Sequence, residues 1–104
     1  MITIHIITEN EEMLQTIAAW LLRERLVYKN VDIDFQDTFI YENNQLLKSK
    51  SYKLQARTKA LLFSQIETGL RETFKDEMPF LYSTPIVNMD AAQQLEIINS
   101  VLKT

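Results

Sequence analysis

Between Val31 and Thr58, apolar and polar residues alternate closely enough to predict one long β-hairpin. Val31, Ile33 and Phe35 interleave with Asp32, Asp34 and Gln36, and Tyr52, Leu54 and Ala56 interleave with Lys53, Gln55 and Arg57. A period of two marks a strand with one buried face. One arm therefore offers carboxylates on its non-core face, and the other offers cations. Opposite charges across paired strands stabilise an antiparallel pairing by roughly 0.2–1 kcal/mol each. Thr38–Tyr41 is apolar and β-prone, and Glu42-Asn43-Asn44-Gln45 reads as the turn. The hairpin is longer than one small sheet needs, so its tip is expected to reach another subunit.

Ile2–Ile7, isoleucines broken by Thr3 and His5, predicts a central strand. Thr8-Glu9-Asn10-Glu11 has the spacing of a capping box. Beyond it, Met13, Leu14, Ile17, Ala18, Leu21 and Leu22 recur with helical spacing, and Arg23 and Arg25 close the last turn. After the hairpin, Thr58 or Ser64 opens a second helix with Leu62, Phe63, Ile66, Leu70 and Phe74 on one stripe. Gly69 lies inside that helix, where glycine costs about 1 kcal/mol relative to alanine; close approach of another backbone would account for it. Phe80–Val87 reads as a strand, and Pro85 within it marks an edge strand or a strand end. Asn88 or Asp90 then caps a final helix whose apolar side carries Ala92, Leu95, Ile98 and Leu102.

The order β-α-β-β-α-β-α is a split βαβ, or ferredoxin-like, α+β arrangement with an additional C-terminal helix. A single domain spanning 1–104 is expected, with two helices on one face of a four-stranded antiparallel sheet. The other face would carry Asp32, Asp34, Lys53 and Arg57 together with Tyr41 or Phe39, a mixed surface. Exposed edges and a long hairpin favour self-association over solvation of that surface. The candidate subunit-interface residues are Asp32, Asp34, Asp37, Phe39, Tyr41, Lys53, Arg57 and Pro85.

Composition narrows the chemistry. At 104 residues with 46% apolar and 24% charged content, the chain is an ordinary globular domain. It has no cysteine, which removes disulfides, thiolate metal sites and cysteine nucleophiles. No apolar run reaches the length of a membrane span, and Met1 opens directly into a strand, so no membrane partner and a cytoplasmic location are expected. A net charge of −3 argues against a general nucleic-acid binder. One stretch stands apart: Asn43–Ile66 lacks acids and holds Lys48, Lys50, Lys53, Arg57 and Lys59. Either it meets an anion or, as favoured here, it neutralises Asp32, Asp34 and Asp37 across the hairpin or a subunit boundary.

Catalytic signals are sparse. His5 is the only histidine and is expected to be partly buried with one hydrogen-bond partner. His5, Asp32 and Asp34 are weak metal candidates, because a hard cation wants about six oxygens in a compact shell. No cofactor is expected: a phosphate cradle needs glycines, and the single glycine is helical. A second reading is a small cofactor-free enzyme, of monooxygenase or isomerase type, acting on a hydrophobic substrate. Its candidates would be Trp20, His5, Tyr28 and Tyr82, although Trp20 beside the helix stripe is more simply a packing residue.

The ordered motifs resemble the CutA-type divalent-cation-tolerance family. Its first-helix pattern I-A-x-x-L-x-x-x-R-L is similar to the run from Ile17-Ala18 to Arg25-Leu26. Its S-I-Y resembles Phe39-Ile40-Tyr41, and its I-K-T resembles Ala56-Arg57-Thr58. Its V-P-E-I and L-P-I resemble Met78-Pro79-Phe80-Leu81 and Thr84-Pro85-Ile86. The resemblance implies a homotrimer of ferredoxin-like subunits, a link to divalent-cation (copper) tolerance or PII-like signalling, and clefts between subunits that could take a small ligand. This chain departs from the family where metal chemistry is concerned. Val27-Tyr28-Lys29-Asn30-Val31 replaces A-A-C-V-N, and Phe74-Lys75-Asp76 replaces H-P-Y. Without those soft ligands, the expectation is a non-enzymatic scaffold or sensor that binds no metal.

Overall fold

The computed structural model describes residues 1–103. In chain order it contains β1 (Ile2–Thr8), α1 (Glu11–Arg23), β2 (Asp32–Glu42), β3 (Gln45–Thr58), α2 (Phe63–Phe74), β4 (Phe80–Pro85) and α3 (Ala91–Ser100). Short 3-10 turns at Ala60–Leu62 and Lys75–Glu77 flank α2. The sheet order is β2-β3-β1-β4, with every neighbour antiparallel. This is the expected ferredoxin-like arrangement plus a terminal helix. Among the described residues, no helix is long and apolar enough to cross a membrane.

Strand periodicity builds the core. Ile2, Ile4 and Ile6 of β1 share a face with Leu54, Ala56 and Thr58 of β3, and all six are buried. Against that face pack Met13, Leu14, Ile17 and Leu21 of α1, with Leu62, Ile66 and Leu70 around α2. Thr58 is fully buried because its hydroxyl donates to the Leu26 carbonyl at 2.6 Å. The third helix completes the layer through Ile97 and Val101, and the Leu102 N–H donates to the Arg25 carbonyl at 2.7 Å.

Several local expectations are corrected. The cap of α1 is Asn10, whose side chain accepts from the Met13 N–H at 3.1 Å, while Thr8 accepts from the Asn10 N–H. Asparagine serves the cap as well as threonine, and it sits at the right turn. Neither Thr58 nor Ser64 caps α2: Thr58 ends β3, and the 3-10 turn leads into the helix without a side-chain cap. The fourth strand stops at Pro85, leaving Val87 exposed outside it, so Pro85 lies at the end of an edge strand. Of the two apolar stripes on α3, Ile97 and Val101 face the core, and Leu95 and Ile98 remain exposed. At Gly69 the close neighbour is the Trp20 side chain rather than a backbone.

Candidate functional site: the open sheet face and the projecting ribbon

The β2–β3 register is unbroken from Asp32↔Gln55 to Glu42↔Gln45, closed by a two-residue turn at Asn43 and Asn44. Both turn residues have positive φ (51° and 60°), as a type I′ hairpin requires, and asparagine tolerates that region. Only the lower part of this hairpin lies in the full sheet. The first strand pairs with β3 no further than Thr8↔Tyr52, so from Gln36↔Ser51 onward β2 and β3 form a bare two-stranded ribbon. At ~3.4 Å per residue the ribbon projects roughly 20 Å. It stretches the molecule to 50 × 29 × 19 Å and its radius of gyration to 15.1 Å. A compact domain of this length would have about 13 Å.

The strict register also decides which side chains share a face. Asp32, Asp34, Lys53, Gln55 and Arg57 lie with Thr3, His5 and Tyr82 on the face away from the helices. Phe39 and Tyr41 do not join them. They follow Ile33 and Phe35 on the helix side, beyond the end of the helical layer, which corrects the mixed face expected from sequence. There the aromatics are open: Phe35 is 67% exposed, Phe39 59% and Tyr41 70%. Leu46 and Leu47 on the returning arm are also exposed.

The expected charge pairing is present in part. Arg57 meets Asp32 at 3.6 Å and Lys48 meets Asp37 at 3.6 Å, both diagonal across the ladder. Asp34 stands opposite Lys53 in the register without closing to an ion pair among the described residues. Lys48 and Lys50 also lie over the Phe39 and Phe35 rings, at 6.0 and 4.8 Å from their centroids. The basic stretch is therefore split. Lys48 and Lys50 occupy the helix-side face of the ribbon and Lys53 and Arg57 the open face of the full sheet, while Lys59 donates to the Leu102 carbonyl. No single anion patch results.

His5 is 8% exposed although it belongs to the open face. Its ring stacks on Tyr82 at 4.5 Å, Nε2 shares a hydrogen bond with the Thr84 hydroxyl at 2.9 Å, and Nδ1 is buried without a partner. Burial and then the Lys53 charge hold its pKa below the ordinary 6.5, so the ring is neutral near pH 7. Protonation is thus disfavoured in the folded chain and unopposed in the unfolded one. The contribution is fully present above about pH 6.5 and is lost as pH falls towards the depressed folded pKa. Denaturation midpoints are expected to decline on acidification from about pH 7 to 5.5, and His5→Phe is expected to flatten that slope. An unchanged slope in the variant would remove His5 as its source.

The remaining candidates do not converge. Trp20 lies between α1 and α2, Tyr82 stacks on His5 at the sheet, and the Tyr28 hydroxyl donates to Glu96 of α3. The hydrogen bond to Glu96, foremost, raises the Tyr28 pKa. A shared apolar pocket for a hydrophobic substrate is therefore not formed by these four residues. Lys53 and β3 separate His5 from Asp34. Among the described residues, no three His, Asp or Glu side chains gather as a metal-ligating group. Sequence reasoning missed Phe35 as a surface feature because it continues the alternation of the core residues Val31 and Ile33, and it passed over the adjacent pair Leu46 and Leu47, which lie on opposite faces of the ribbon.

No family profile and no curated protein sequence matches the chain. Solved structures do. CutA1 from Pyrococcus horikoshii superposes with a TM-score of 0.84 at 14% identity, covering 99% of this chain and 100% of that one. CutA1 from Oryza sativa gives 0.83 at 15% identity, covering 99% and 94%. The periplasmic divalent cation tolerance protein CutA from Archaeoglobus fulgidus gives 0.81 at 18% identity, covering 98% and 100%. The chain has the CutA1 fold over nearly its whole length, as the motif resemblance implies.

Proposed function

We propose that this chain is a CutA-like homotrimeric protein, a non-enzymatic scaffold or sensor that works through the clefts between its subunits. One observation carries the reading: a bare, aromatic-rich ribbon projects from a chain with the CutA1 fold. A two-stranded ribbon alone in water is marginally stable, so a projecting one wants a partner surface. Its outer edge on β2 presents unpaired backbone groups, and edges of this kind are covered in stable proteins. A ribbon seated on the next copy makes a head-to-tail contact, and such contacts form a ring where the rotation between copies closes. The trimer is the ring that the family resemblance implies. Its clefts are where a small ligand would be accommodated.

The same reading treats divalent-cation tolerance as a family association rather than as metal ligation by this chain. Cysteine is absent, the one histidine is buried under Tyr82, and Asp32 is engaged by Arg57. Calorimetric titration with copper or zinc is expected to show no sub-micromolar site. A sub-micromolar site that disappears in His5→Ala would contradict this part of the account. A cytoplasmic location belongs to the same proposal, although the Archaeoglobus fulgidus protein of this fold is described as periplasmic.

A further inference from the structure

Gly69 and Trp20 have no part in the ribbon or the open face. Glycine inside a helix costs about 1 kcal/mol relative to alanine, so its position calls for a cause. The cause is local: a Cβ at residue 69 would lie 2.6 Å from Cη2 and Cζ2 of Trp20. The benzenoid edge of the indole abuts α2 at Gly69, where a side chain of any size would displace it.

What the arrangement creates is a cleft of about 440 Å³ between α1 and α2, within the size range of small-molecule sites (~300–1,000 Å³). Trp20, Leu70 and Phe74 give it apolar walls, Thr16 and Thr73 add hydroxyls, and Arg23 supplies its one charged group. Glu24 meets that guanidinium at Nε, at 3.5 Å, an exposed and weak contact against which an anion on the terminal nitrogens of the fork can compete. An aromatic wall beside a single cation suits a planar apolar body that ends in a carboxylate. The cleft lies on the helical layer, across the sheet from the open face.

We propose that the α1–α2 cleft binds a small aromatic carboxylate, its ring against Trp20 and its carboxylate on Arg23. Trp20 is the only tryptophan, so tryptophan emission, excited at wavelengths the tyrosines do not absorb, reports on this site alone. Titration of the full chain with phenylacetate is expected to change that emission saturably. Phenylacetamide and the exposed variant Arg23→Gln should each weaken the apparent affinity about ten-fold, the scale of one charge-assisted contact. Acetate, which lacks the ring, should give no saturable response. Gly69→Ala, whose methyl pushes the indole aside, should shift the emission and abolish saturation. A linear response to phenylacetate, or an affinity equal in wild type and Arg23→Gln, would overturn the proposal.

Discussion

Phe35→Glu combined with Phe39→Glu is expected to convert the assembled protein into single folded chains. Both rings are more than half exposed in the isolated chain, so the substitutions remove little of its own core. In the proposed trimer the same positions would meet a neighbouring copy, where each new carboxylate would shed water without a designed partner. Burying an unpaired charge costs several kcal/mol even after relaxation, and every subunit boundary would carry the change. A loss of about 4 kcal/mol per boundary weakens association roughly a thousand-fold. Sedimentation should then show one-chain particles at micromolar concentration with an unaltered far-ultraviolet circular dichroism spectrum. An undiminished assembly in the double variant would place the subunit contact away from the ribbon's helix-side face.

Leu54→Ala is the second large effect, and it acts on folding. Leu54 is fully buried and stands in register between Ile33 of β2 and Ile6 of β1, where the ribbon leaves the sheet. Truncation removes apolar contacts and leaves a cavity that two flanking strands cannot collapse into, a loss of about 2–5 kcal/mol. Denaturant unfolding at one fixed protein concentration measures it, since assembly makes apparent stability concentration-dependent. A midpoint equal to wild type would mean that the ribbon root is not part of the cooperative core.

The hairpin, the first helix and the β-α-β-β-α-β-α order were legible in the sequence because each rests on a local period. The alternation around Ile33 and Leu54 fixes a strand and its inner face, and the Met13–Leu21 stripe fixes a helix. Facts set by distant parts of the chain were not legible. Phe39 and Tyr41 keep the parity of Ile33, so they stay on the helix side even where no helix covers them. Which side of α3 turns inward, Ile97 rather than Leu95, is set by its docking on parts of the chain far away in sequence, where the Leu102 N–H meets the Arg25 carbonyl. The indole over Gly69 likewise joins two helices through a contact that neither helix announces alone. Of the charges, the expected neutralisation of the acidic arm by the basic arm follows from their alternation, whereas the particular partners, Arg57 for Asp32 and Lys48 for Asp37, are set by diagonal geometry that the sequence does not show.

The most direct measurement is the mass of the protein in dilute solution, by light scattering or sedimentation equilibrium. A ribbon-locked ring predicts a particle three times the 12.2 kDa of one chain, stable on dilution through the micromolar range. A particle of one chain mass at those concentrations would contradict it.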